Sequence, residues 1–149
     1  MPQPDRPPRG RTLITTTAFE QEPNEADGGV APIDPDDPDA WVGVAMDAAE
    51  DKLGEKTVAY RVGDVMGIVE WFVVTTGRNE RQVRAIADEV EFQIGRRGGP
   101  KPQRVEGLED ASWVLMDYAD VVVHVFSETA REYYDIDRLF RDMPRYERG

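Results

Sequence analysis

The apolar positions of this chain fall into two periods, and the change from one to the other marks its elements. Asp37 can cap a helix with Pro38 at its first position, where a missing N–H costs nothing. Trp41, Val44, Ala45, Ala48 and Ala49 then recur at helical spacing, Leu53 continues the face and Gly54 closes the helix. Thr57–Val62 is rich in β-branched residues and reads as a strand, with a turn at Gly63-Asp64. Ile68–Thr76 (IVEWFVVTT) is apolar on both faces, as a strand at the centre of its sheet would be. A second helix begins at Asn79 as N-cap, with Gln82 as capping-box partner. Its buried stripe is Val83, Ile86, Ala87, Val90 and Ile94, its charges suit the helix dipole, and Gly98-Gly99-Pro100 ends it. Gln103–Glu106 suggests a short strand, and Ser112–Tyr118 and Val121–Phe126 a hairpin. Ser127 can cap a helix through Tyr134, with a further helical turn or two over Ile136–Met143. Helix, two strands, helix, three strands, helix is the order of an α/β domain with a mixed sheet flanked by helices.

Residues 1–36 break this pattern. They are proline-rich and acidic, with only scattered apolar residues such as Leu13, Ile14 and Phe19. Such a segment cannot bury enough surface to offset its ordering entropy, so a disordered N-terminal extension is expected, followed by one domain over 37–149. The N-terminus lacks the apolar stretch of a secretory signal, and the apolar runs fall far short of a membrane span.

The net charge is −12 over 149 residues, divided equally between residues 1–40 and 41–149. Phosphate neutralisation supplies most of the affinity of nucleic-acid binders, and an acidic core without a Lys/Arg stripe argues against that class. Near nucleic acid, a basic protein is the better partner. The absence of cysteine excludes disulfides and thiolate metal sites and suits a reducing, cytoplasmic setting.

Candidate chemistry is sparse. Thr76-Gly77-Arg78-Asn79 joins a strand to a helix N-terminus, where α/β proteins bind anions. It has one glycine and no Walker lysine, so a sharp turn and a cap explain it. His124 shares a strand face with Val122 and Phe126, the setting of a packed, hydrogen-bonded core histidine, and no serine or acid is spaced to form a triad with it. Asp117 and Asp120 flank the hairpin turn. Turn chemistry accounts for Asp120, and no phosphate loop accompanies the pair to suggest metal catalysis. Trp113 and Tyr118 fall on opposite faces by parity, so at most one faces the core squarely; the other lies near the surface, where aromatics mark protein interfaces, or in a satellite core under the C-terminal helix. No cofactor is implied.

Several of these residues together resemble the ribosomal silencing factor family, also called Iojap-like. The motifs are Thr76-Gly77-x-Asn79-x-Arg81-Gln82-Val83 with Ala85-Ile86-Ala87-Asp88-x-Val90, then Glu106-Gly107, then Trp113-Val114-Leu115-x-Asp117-Tyr118-x-Asp120 running into Val121–Phe126. Arg131-x-Tyr133-Tyr134-x-Ile136-x-x-Leu139-Phe140 completes the set. The chain departs from the pattern at Glu70, where an aspartate usually stands, at Ala119, usually glycine, and at Phe140, often tryptophan. Residues 1–36 match nothing in it.

The resemblance implies a nucleotidyltransferase-like topology without the catalytic motifs and a factor that is not an enzyme. It implies binding to the large ribosomal subunit through ribosomal protein uL-fourteen, a steric block to subunit joining, repression of translation and a possible homodimer when free. Trp113, Tyr118, Asp117 and Asp120 are then the expected contact residues, with Glu106 and Gly107 shaping or joining the surface. An active nucleotidyltransferase-like enzyme and a homodimeric interaction module are the alternatives.

Overall fold

A computed structural model describes residues 31–148. The expected extension therefore lies outside the described residues as far as residue 30. Beyond that point the chain is already tied down: Ile33 packs against the core and its N–H donates to the Arg97 carbonyl, 3.0 Å away.

The elements in chain order are α1 (Pro38–Asp51), β1 (Glu55–Arg61), α2 (Gly63–Met66), β2 (Trp71–Gly77), α3 (Glu80–Arg96), β3 (Arg104–Glu106), β4 (Trp113–Asp117), β5 (Val121–Ser127), α4 (Glu128–Tyr134), α5 (Ile136–Leu139) and β6 (Arg145–Arg148). The strands form one sheet in the order β3-β4-β5-β2-β1-β6. β2 and β5 pair parallel from Trp71–Val121 to Gly77–Ser127, and every other pairing is antiparallel. This is the mixed α/β sheet expected, with β2 at its centre. The short α2 replaces the turn at Gly63-Asp64, and β6 is an additional edge strand.

The sheet's two faces are covered unequally. On one, α1 and α3 bury Ala59, Trp71, Val73, Val114, Met116, Val121, Val123 and Val125 beneath Trp41, Ala45, Ile86, Val90 and Ile94. On the other, a smaller cluster gathers Val58, Tyr60, Val74 and Phe126 under Ala130 and Phe140, with Phe72, Trp113 and Ile136 at its margin. α4, of seven residues, and α5, of four, are short compared with α1 and α3, so they leave part of this second face open.

Caps form where the side chains permit. Asp37 accepts from the Asp39 N–H, Asn79 from Gln82 and Ser127 from Ala130. Gln82 completes its capping box one residue early, its Oε1 accepting from the Arg78 N–H at 2.6 Å. Its amide reaches across to the Lys52 and Leu53 carbonyls at the end of α1. Leu53 does not continue the buried face of α1. It lies beyond the helix at φ +63 and is 69% exposed. Gly54 closes the helix, its N–H donating to the Ala49 carbonyl at 2.8 Å, and it also permits close approach, since a Cβ there would stand 2.5 Å from Thr75 Oγ1.

His124 occupies the smaller core, 4% exposed. Its Nδ1 accepts from Trp113 Nε1–H at 3.1 Å, and its ring lies against Phe72, with centroids 4.6 Å apart. Burial disfavours the imidazolium and lowers its pKa from 6.5 to about 4.

Two predictions follow from these placements. Unfolded, His124 takes up a proton near pH 6.5; folded, only near pH 4. Its contribution to stability is therefore complete above 6.5 and is lost as pH falls toward 4, on the order of 3 kcal/mol in all. Urea unfolding at stepped pH should show this limb in the parent and a flatter one in His124→Phe; equal slopes would contradict it. Gly107 has φ +91, and a Cβ there would sit 2.0 Å from the Trp113 carbonyl oxygen. Gly107→Ala should cost more than about 2 kcal/mol of unfolding free energy, and a loss below about 0.5 kcal/mol would refute the role given to this glycine.

Candidate functional site

The hairpin and the edge strand beside it present their alternate side chains to the sparsely covered face. Residue pairs Arg104–Asp117 and Glu106–Leu115 place β3 against β4, and Trp113–Phe126, Leu115–His124 and Asp117–Val122 place β4 against β5. Strand alternation therefore puts Glu106, Trp113, Leu115 and Asp117 on one face. Trp113, Leu115 and Asp117 are each half-buried, and Glu106 is exposed.

Trp113 and Tyr118 do lie on opposite faces. Trp113 packs between Phe126 and Tyr134, with ring centroids 4.9 and 4.6 Å away, on the open side. Tyr118 turns into the core under α1 and α3 and is 9% exposed. Its buried hydroxyl meets no hydrogen-bond partner among the described residues. Burial, with a smaller contribution from the Glu91 charge, raises its pKa. The structure thus seats Trp113 on the candidate surface and Tyr118 behind it.

The two aspartates exchange the expected roles. Asp117 Oδ1 caps the turn, accepting from the Ala119 N–H at 2.8 Å, while its Oδ2 meets Arg104 at 3.4 Å. Asp120 contributes main chain: its carbonyl accepts from the N–H groups of Glu70 and Trp71 at the start of β2. Its exposed carboxylate does not make the turn bond that sequence reasoning assigned to it. Ala119 has φ +75, and the Asp120 N–H closes a three-residue γ-turn onto the Tyr118 carbonyl at 3.0 Å. A glycine would adopt that conformation without strain.

Gly107 lets the chain leave β3 directly against the start of β4. From the other side of the sheet, Arg84 of α3 holds the following loop, donating to the Leu108 and Glu109 carbonyls at 2.9 and 2.7 Å. Glu106 lies 3.5 Å from Arg104, so the edge beside Trp113 carries an exposed pair of opposite charges.

Tyr133 and Tyr134 extend the surface and were absent from the expected contact set. Tyr134 packs against Trp113 with its ring tilted by 49° and is 50% exposed; Tyr133 meets Tyr134 edge-on at 5.0 Å and is 78% exposed. Two adjacent aromatics on a short helix cannot both point inward, and that was the available signal. Beneath α4, Arg131 donates to both oxygens of Asp137 at 2.7 and 2.9 Å and to Thr76 Oγ1 at 2.8 Å. Burial alone would raise the Asp137 pKa, but hydrogen bonds from Arg131 and Tyr60 outweigh it and hold the carboxyl below its ordinary value. This network fixes α4, and with it the tyrosines, on the sheet.

The arrangement is an aromatic ladder bordered by carboxylates, suited to recognising a protein surface that carries both basic and apolar groups. No helix among the described residues is long and apolar enough to cross a membrane.

Comparison with known proteins agrees with this architecture. The family profile described as "Ribosomal silencing factor during starvation" matches residues 35–148. The ribosomal silencing factor of Halalkalibacterium halodurans is 39% identical over 104 residues, covering 70% of this chain and 88% of that one. That of Bacillus subtilis is 36% identical over 101 residues, covering 68% and 85%. A crystal structure of a protein from Chromobacterium violaceum superposes with a TM-score of 0.67 at 32% identity, over 70% of this chain and 87% of its own. The match runs from the residues before α1 to the last residue of β6, and the chain belongs to the ribosomal silencing factor family.

Proposed function

We propose that this chain is a ribosomal silencing factor. In this reading it docks on the large ribosomal subunit through ribosomal protein uL-fourteen, occludes the surface that the small subunit needs and so represses translation. The observation that carries the reading is the family match over residues 35–148, supported by relatives that are named for this role. In this reading the protein is a cytoplasmic regulatory factor rather than an enzyme, makes little direct nucleic-acid contact and can pair with a second copy when free. The proline-rich, acidic residues that precede Ile33 are an extension to the silencing domain.

The open sheet face supplies the means. Trp113, with Tyr134 packed against it, is the desolvated anchor, because large aromatics seated at the centre of an interface carry most of its binding energy. Asp117 and Glu106 on the same face and Asp120 at the turn set the electrostatic complement to a basic partner. Tyr118 supports the hairpin from the core side, and Gly107 lets β3 approach it. An acidic protein held by protein contacts can stay on a ribosome whose RNA would repel it.

Sucrose-gradient sedimentation tests the proposal. Added to ribosomal subunits, the parent protein should travel with the large subunit and deplete joined ribosomes. Trp113→Ala, confirmed folded by circular dichroism, should lose about 2 kcal/mol or more of binding, roughly thirtyfold in Kd. Asp120→Lys removes an exposed carboxylate without disturbing packing and should weaken association most at low salt. Parent-like co-sedimentation of both variants would remove the hairpin from the interface. A parent protein that leaves subunit joining unchanged would overturn the silencing role itself.

A further inference from the structure

We infer that His124 is a positioning residue for partner recognition: it holds the Trp113 indole in its docking orientation through the Trp113 Nε1–H to His124 Nδ1 hydrogen bond. The inference rests on the proposal that Trp113 is a docking anchor.

The environment of His124 does not call for a histidine. Its neighbours on the strand face are Val122 and Phe126, Phe72 lies against its ring, and Val74 is its cross-strand partner on β2. A phenylalanine or valine would fill this setting with no polar atom to satisfy. Histidine brings a second nitrogen, Nε2, which is buried with no hydrogen-bond partner among the described residues. With Nδ1 accepting from the indole, the neutral ring carries its proton on Nε2, so this N–H is stranded in an apolar core. Among the described residues, the side-chain hydrogen bond that offsets this cost is the one from Trp113, at 3.1 Å.

Trp113 needs such a tether. It stands at the first residue of β4, where the loop from Gly107 joins the strand, and it is only half-buried. Phe126 and Tyr134 pack against its ring at tilts of 31° and 49°, apolar contacts that carry no directional bond to set the rotation of the indole. A hydrogen bond to the indole nitrogen fixes that rotation. The bond also occupies the indole N–H from the core side, so the edge offered to a partner is apolar. An anchor already locked in place loses less conformational freedom on binding, which strengthens association without adding a contact.

The test compares His124→Phe with His124→Asn. Asparagine places Oδ1 where Nδ1 stood and can still accept from the indole; phenylalanine keeps the packing and cannot. Two quantities are read, the indole N–H resonance of Trp113 in nitrogen-15-labelled protein and the affinity for purified large ribosomal subunits. The resonance is assigned among the chain's three tryptophans with Trp113→Phe. His124→Phe should stay folded, shift the Trp113 signal toward that of a free indole and weaken binding roughly tenfold, the equivalent of one hydrogen bond. His124→Asn should restore both. If His124→Phe leaves the signal in place, or moves it while binding stays at the parent level, the inference fails, and the phenylalanine variant decides this alone. If Trp113→Ala itself binds like the parent, the docking surface has been misassigned, and that outcome is distinct from a failure of His124 alone.

Discussion

Seven residue pairs, from Trp71 with Val121 to Gly77 with Ser127, hold β2 and β5 parallel at the centre of the sheet. Most of the remaining structure follows from that pairing. Because the strands run together, they begin at one end, where the Asp120 carbonyl receives the first N–H groups of β2, and finish at the other, where Asn79 and Ser127 cap α3 and α4. The helices leave that end on opposite sides of the sheet. α3 spans 17 residues and, with α1, closes one face; α4 spans seven and cannot close the other. The candidate surface is thus a remainder of topology: the part of a sheet face that a short helix does not reach.

That remainder is nevertheless tightly constructed. Arg131 fixes α4 through Asp137 and Thr76, Gly107 brings β3 against β4, and Arg84 ties the intervening loop to α3 from behind. Each fastening lies outside the ladder of Trp113, Tyr134 and Tyr133. The aromatics are exposed on a rigid frame, as suits a surface whose affinity must come from few residues.

How far the sequence foretold this depended on the reach of each interaction. Local rules performed well. Asn79 caps α3, the stripe from Val83 to Ile94 is buried, and strand parity divides Trp113 from Tyr118. Long-range questions were not legible. Parity cannot say which face the long helices cover, so it could not tell that Tyr118 rather than Trp113 is the core residue. Both aspartates at the turn are plausible caps by composition; in the folded chain the Ala119 N–H donates to Asp117, and the Asp120 side chain stays exposed. β6 escaped notice because Arg-Tyr-Glu-Arg has no apolar alternation; it pairs with β1 while Tyr146 stacks on Trp71 at 5.6 Å. Leu53 fits the period of α1, yet the helix has ended before reaching it.

The outermost strands have a further consequence. β3 offers only Arg104, Val105 and Glu106, and β6 carries Arg145, Glu147 and Arg148. Short, charged borders of this kind deter another chain from adding itself as an extra strand. A protein that bares aromatic rings on one side of a sheet would otherwise invite stacking and lateral growth together. Here the short, charged borders oppose lateral growth, so the rings on the sheet face can be presented without recruiting a further strand at either edge.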